Sequence, residues 1–193
     1  MVKTKGAATQ RREQIRNDFW PDEIVWTGEG EKGWFRAPRT LPLILVLLSS
    51  KRISGKLDPT RVYLELLACH RDSAIIDMVS EGEHSYSAGY SGSRGIRTWQ
   101  ERMKTLEQIG FIRSKSAGNT KYKYVLLVHP SIAVKRLYDA KKIDNTWWDS
   151  YRARQIESKE TMFESLLPEK TSTKVVPIKV AKLNSASTRS VGK

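Results

Sequence analysis

Seven side chains between Ser91 and Lys104 have the types and spacing to grip a polyanion rather than to break a bond. Arg94 and Arg97 stand three apart, Arg102 and Lys104 follow, and Ser91, Ser93 and Thr98 add hydroxyls. A guanidinium is a planar fork of donors that fits phosphate or the O6 and N7 edge of guanine, and a hydroxyl can reach either. A second group, Lys115, Asn119, Lys121 and Lys123, follows on a segment that reads as a hairpin. Its chemistry is charge neutralisation along a sugar-phosphate backbone, or entry into a minor groove.

Bond-making chemistry has little to work with. His70, His84 and His129 are scattered, with no paired-ligand spacing. Cys69 adjoins His70, but adjacent helical residues point apart, so Cys69 reads as core filling. Gly28, Gly30 and Gly33 precede no helix suited to a phosphate, and there is no P-loop. The expectation is a protein that is not an enzyme and uses no metal and no cofactor. A single cysteine excludes an internal disulfide framework and a thiolate zinc cluster, and fits a reducing, cytoplasmic setting.

The elements that must position these groups can be read from periodicity and punctuation. Thr40 to about Ile53 predicts a helix with Thr40 as N-cap, its apolar run LPLILVLL being too short to span a bilayer. Asp58 predicts the cap of a second helix, with Pro59 at its first position and Val62, Leu64, Leu66, Leu67 and Ala68 facing a core. Residues 73–79 suit a short strand or a turn. Ser80, with Glu81 and Glu83 behind it, opens a short helix that stops near Gly89. After the turn GYSGS, capped by Ser91 or Ser93, comes a longer helix whose Ile96, Trp99, Met103, Leu106 and Ile109 form one apolar stripe ending at Gly110. That phase assigns Trp99 to the core, and packing is also the expected role of Tyr86 and Tyr90.

Phe111 to Ser114 and Lys121 to Val128 predict two strands around a tip at residues 116–120. Tyr122, Tyr124, Leu126 and Val128 are expected on one face. Two further helices are expected over residues 131–142 and 145–160, the second packing through Trp147, Trp148, Tyr151 and Ile156. The expected organisation is a disordered basic tail over 1–16, with a short helix from Arg12 to Trp20, one domain over 17–160 that includes a Trp-bearing arm, and a basic, largely disordered tail over 161–193.

Location of charge narrows the partner. The formal net charge of the 193 residues is +13. Within the expected folded part, residues 92–124 hold Arg94, Arg97, Arg102, Lys104, Arg113, Lys115, Lys121 and Lys123 against Glu101 and Glu107, whereas residues 125–169 balance and 17–91 are slightly acidic. The remaining excess lies in the two tails. A basic cluster inside a folded unit points to nucleic acid more strongly than basic tails do.

The stretch SYSAGYSGSRGIRTWQERMKTLEQIGFI, running into a two-stranded hairpin, resembles the winged-helix superfamily of bacterial repressors and plasmid replication initiators. The resemblance covers about residues 40–128. It implies a mainly α fold with a small β-hairpin (α+β), a winged helix-turn-helix with extra N- and C-terminal helices. It also implies that Ser91, Ser93, Arg94, Arg97 and Thr98 approach base edges, with Arg94 and Arg97 as the readers. Arg102 and Lys104 would meet phosphate, and Lys115, Asn119, Lys121 and Lys123 would act from the wing. The expected partner is double-stranded DNA, bound by a homodimer that regulates transcription. Replication or maintenance of a plasmid, and a subunit role in a nucleoprotein complex with a protein partner, are the alternatives.

Overall fold

The computed structural model describes residues 6–19, 21, 33, 35, 37–70 and 74–160. Most of the Trp-bearing arm and all of residues 161–193 lie outside the described residues. The described chain is mainly helical, with a small antiparallel sheet of three strands in the order β1-β3-β2: β1 Ile75–Asp77, β2 Ile112–Ala117 and β3 Thr120–Leu127. The sheet exceeds the expected hairpin by one strand, because Ile75, Ile76 and Asp77 pair with Leu126, Val125 and Tyr124 of β3.

The first helix, α1, runs from Ala7 to Phe19, starting inside the stretch expected to be disordered. Its composition explains this: Ala, Gln, Arg and Glu are good helix formers, and no residue of it is buried. The single helix expected over 40–53 is two, α2 Leu41–Ser49 and α3 Lys51–Ser54, because Ser50 is extended (φ −66°, ψ 129°) and caps the second with its hydroxyl. Thr40 makes no side-chain cap; instead its N–H and hydroxyl both donate to the Glu160 carboxylate at 2.8 Å. Helix α4 spans Thr60–Cys69, so Pro59 sits one position before the helix rather than in it, while Asp58 Oδ1 accepts from Thr60 N at 2.9 Å. Tyr63 and Glu65 are buried on α4 where Leu64 and Ala68 were expected, since the inward face follows Val62, Tyr63 and Leu66.

Helix α5, Glu81–Ser87, begins as expected, with Ser80 Oγ accepting from Glu83 N at 3.3 Å. Helix α6 spans Gly95–Gln108. Neither Ser91 nor Ser93 caps it: Arg94 holds the N-cap position without a side-chain bond. Trp99, Met103, Leu106 and Ile109 are buried as expected, but Ile96 is 46% exposed. The first turn of α6 faces in through Gly95, whose close approach to the α5 end leaves no room for a larger inward residue. Gly110 (φ 86°) stops the helix, and Phe111 N returns to Leu106 O at 2.9 Å.

The hairpin tip is only Gly118 and Asn119, with Gly118 at φ 55°. The two strands keep register out to Lys115↔Tyr124, then shift to Ala117↔Thr120, which leaves extra residues on β3. This bulge reverses the alternation, so Tyr122 and Val125 are both buried, while Tyr124 and Leu126, expected to share the face of Tyr122, are 44% and 40% exposed. Helices α7 Pro130–Asp139 and α8 Asn145–Ser158 complete the described chain. Tyr151 and Gln155 form the buried row of α8, which turns Ile156 outward. Trp148 stacks on Tyr138 (4.3 Å, 9°) and Trp147 on Tyr151 (5.2 Å, 11°). One core joins Ile44 and Leu48 of α2, Val62, Tyr63 and Leu66 of α4, the α6 stripe, Phe111, Ile112, Tyr122 and Val125. Among the described residues no helix is long and apolar enough to cross a membrane.

The α5–α6 junction is closely packed at Gly95. Ser85 Oγ donates to Tyr90 O, and Tyr90 N to Ser85 O, each at 2.9 Å. A Cβ on Gly95 would lie 2.7 Å from that same Tyr90 oxygen. Gly95→Ala should therefore destabilise the protein by about 1–3 kcal/mol, as overpacking does. A denaturant midpoint equal to that of the wild type would contradict the close approach.

Candidate nucleic-acid interface

At about 100° per residue, Arg94, Arg97, Glu101 and Lys104 fall on one strip of α6, opposite Gly95, Trp99, Met103 and Leu106. All but Glu101 are exposed, and Arg97 is held by Glu101 (3.4 Å, i,i+4), a solvent-facing pair that contributes only tenths of a kcal/mol. Ser91 and Ser93 are exposed in the turn before α6. Thr98 and Arg102 lie toward the flank and are half-buried. Arg102 donates to Thr98 O at 2.9 Å and lies 4.8 Å over the Tyr90 ring, so it braces the turn onto the helix instead of projecting outward. The turn tyrosine thus has a packing partner, which its position in GYSGS alone did not reveal.

Of the four residues expected to act from a wing, Lys115, Asn119 and Lys121 are exposed. Lys121 rests 5.4 Å over the Tyr122 ring. Lys123 is drawn inward: its Nζ meets Asp77 Oδ1 at 2.6 Å and Met78 O at 3.1 Å, clamping β3 to β1. Arg113 joins the exposed set on β2, with one guanidinium nitrogen donating to Ile112 O at 2.9 Å.

Two carboxylates hold the hairpin against the helices. Glu81, in the first turn of α5, accepts from Gln100 Nε2 of α6 at 2.6 Å and from Tyr122 N of β3 at 2.8 Å. Glu107 of α6 accepts from Ser114 N and Oγ of β2 at 3.1 and 2.8 Å. Beneath them Tyr122 is buried edge-on against Trp99 (5.6 Å, 89°), its hydroxyl donating to Gln100 O at 3.2 Å. Burial, reinforced by the negative charge of Glu107 and Glu81, pushes the Tyr122 phenol up to about 12. Sequence reasoning placed Glu81 at a helix dipole and gave Glu101 and Glu107 no role; only the i,i+4 spacing of Arg97 and Glu101 was there to find.

The sequence matches no protein-family model, no curated protein and no solved structure.

Removal of the Glu81 carboxylate should leave the Tyr122 amide and the Gln100 amide without their acceptor. Glu81→Ala is expected to cost about 1–3 kcal/mol and to speed hydrogen exchange at the Tyr122 amide. Exchange there at the wild-type rate would show that another group serves as acceptor. A raised phenol also makes stability fall with alkali: the unfolded chain releases the proton near pH 10, the folded one near 12, so the contribution present below pH 10 is lost across that interval. Tyr122→Phe should reduce the slope of unfolding free energy between these values by about 1.4 kcal/mol per pH unit, measured by denaturant titrations.

Proposed function

We propose that this chain is a sequence-specific double-stranded DNA-binding protein of the winged-helix type, acting as a transcriptional regulator. The observation that carries the reading is the strip of α6 formed by Arg94, Arg97 and Lys104, exposed on the face opposite the core and followed directly by a hairpin bearing Arg113, Lys115 and Lys121. In this reading α6 enters the major groove with its N-terminal turns, where Arg94 and Arg97 address guanine edges. Glu101 lies beside Arg97 and, the pair being weak, yields Arg97 to the base when DNA is bound. The hairpin follows the phosphate backbone with Lys115 and Lys121, and Asn119 at the tip reaches a groove. Arg102 and Lys123, turned inward, support the reading surface from behind.

The local excess of positive charge suits this partner, because neutralising phosphates releases condensed counterions and makes affinity fall as salt rises. The close α5–α6 junction suits it too. Rigid packing at Gly95 fixes the angle at which the reading helix leaves the domain, and base readout tolerates little misalignment.

The test is selection of bound fragments from a genomic library, followed by titration of the selected site. Arg94→Ala with Arg97→Ala should abolish the preference for the selected site over random duplex, each lost bidentate contact being worth about 1–3 kcal/mol. Lys115→Ala with Lys121→Ala should weaken binding to all sequences alike and lower the salt slope by about 2. A preference that survives the arginine substitutions would refute the assignment of α6 as the reader. A palindromic promoter site is the outcome expected here. Repeated sites at an origin would mean a replication role, and no enrichment would mean a subunit that grips DNA without choosing it.

A further inference from the structure

Glu65 and Cys69 stand four apart on α4, hence on one face of that helix, and α5 brings His84 against the same place. Glu65 Oε1 lies 2.7 Å from His84 Nδ1 and 3.1 Å from Cys69 Sγ, and Sγ lies 3.9 Å from Nδ1. Carboxylate, thiol and imidazole thus converge on one point. Their side chains are nearly enclosed, with Glu65 7% and His84 16% exposed. The second carboxylate oxygen, Oε2, is buried with no hydrogen-bond partner among the described residues. A buried carboxylate with one oxygen unmatched is costly, and a cation held by this carboxylate would offset its charge.

A Cys-His-carboxylate set can also be a nucleophile array, but that chemistry needs the thiol on one ring nitrogen and the carboxylate on the other. Here both approach Nδ1, which suits a shared cation and not a proton relay. The ring is steadied by stacking on Trp99 (6.5 Å, 25°), so Nδ1 keeps its aim. A cleft of about 580 Å³, edged by Arg61, Leu64, Ala68, Ser87 and Gly89, opens onto Glu65 and Cys69 from outside.

We propose that Glu65 Oε1, Cys69 Sγ and His84 Nδ1 bind one Zn²⁺, leaving a fourth position for water from this cleft. Tetrahedral zinc with bonds of about 2.0–2.3 Å sets its ligand atoms about 3.5 Å apart, so the three groups need to move by under about 1 Å. On binding, the thiol gives up its proton to solvent and the sulfur–zinc bond forms. The carboxylate and thiolate together balance the ion's two positive charges, and neutral imidazole completes the set. Thiolate and imidazole are poor ligands for Mg²⁺ or Ca²⁺, which gives the site its selectivity. Zinc would pin α4 to α5 directly behind Trp99 of α6, and it does so whether or not α6 reads DNA.

The experiment is calorimetric titration of Zn²⁺ into the full, chelator-stripped chain, with Co²⁺ as a spectroscopic substitute. One Zn²⁺ per chain with a Kd of about 1 μM or tighter is expected, together with a raised Tm and no response to Mg²⁺. Cys69→Ser, which is nearly isosteric, should weaken binding at least tenfold, as should His84→Gln and Glu65→Gln. Unchanged affinity in Cys69→Ser, or the absence of stoichiometric binding, would overturn the site. Should a variant fail to fold, the wild-type Co²⁺ complex decides: a thiolate-to-cobalt charge-transfer band supports the assignment and its absence refutes it.

Discussion

Three elements, α5, α6 and β3, are held in one arrangement by the Glu81 carboxylate. It sits in the first turn of α5, accepts a hydrogen bond from the α6 side chain Gln100, and accepts another from the backbone N–H of β3 at Tyr122. The β3 bulge makes the second bond necessary, because the register shift takes the Tyr122 amide out of the regular ladder with β2. That same bulge turns the Tyr122 ring into the core beneath Trp99. One acceptor therefore links α5 and α6 to the hairpin where the sheet irregularity would otherwise leave a buried donor unmatched. Glu107 repeats the device from the other end of α6, through Ser114.

Acidic residues thus shape a surface whose outward character is basic. Glu81 and Glu107 face inward and bind backbone amides, while Glu101 faces outward and holds Arg97. The cations divide in the same way. Arg94, Arg97, Lys104, Arg113, Lys115 and Lys121 are exposed, whereas Arg102 rests on Tyr90 and Lys123 is tied to Asp77. A count of charges along the chain treats all eight alike. Six of them project from α6 and the hairpin, and two brace that platform from within.

Much of the scaffold could be read from local chemistry. Ser80 as a cap, Gly110 as a stop, and the phase of Trp99, Met103 and Leu106 depend on neighbours within a turn or two, and all three are as expected. Departures arise where a distant group decides. Thr40 abandons its own cap for Glu160, 120 positions away. Ile96 turns outward because Gly95 is pressed against Tyr90 O, and Tyr124 turns outward because the bulge resets the alternation. In α1 a helix was expected only from Arg12, and the residues from Ala7 to Arg11 that begin it were read as disorder.

By itself the sequence determined the helical character of the chain, the order of its elements, and a basic excess confined to one folded segment, since each is a matter of composition and short-range period. Only the tertiary structure decided which of those cations face outward and that β1 adds a third strand. It alone shows that Glu65, Cys69 and His84, which look unrelated in the sequence, share a point in space. The physical reason is the same in each case. Side-chain orientation within an element follows its period, but contact between elements is set by packing and by buried donors and acceptors seeking partners, and no local pattern encodes which partner they find.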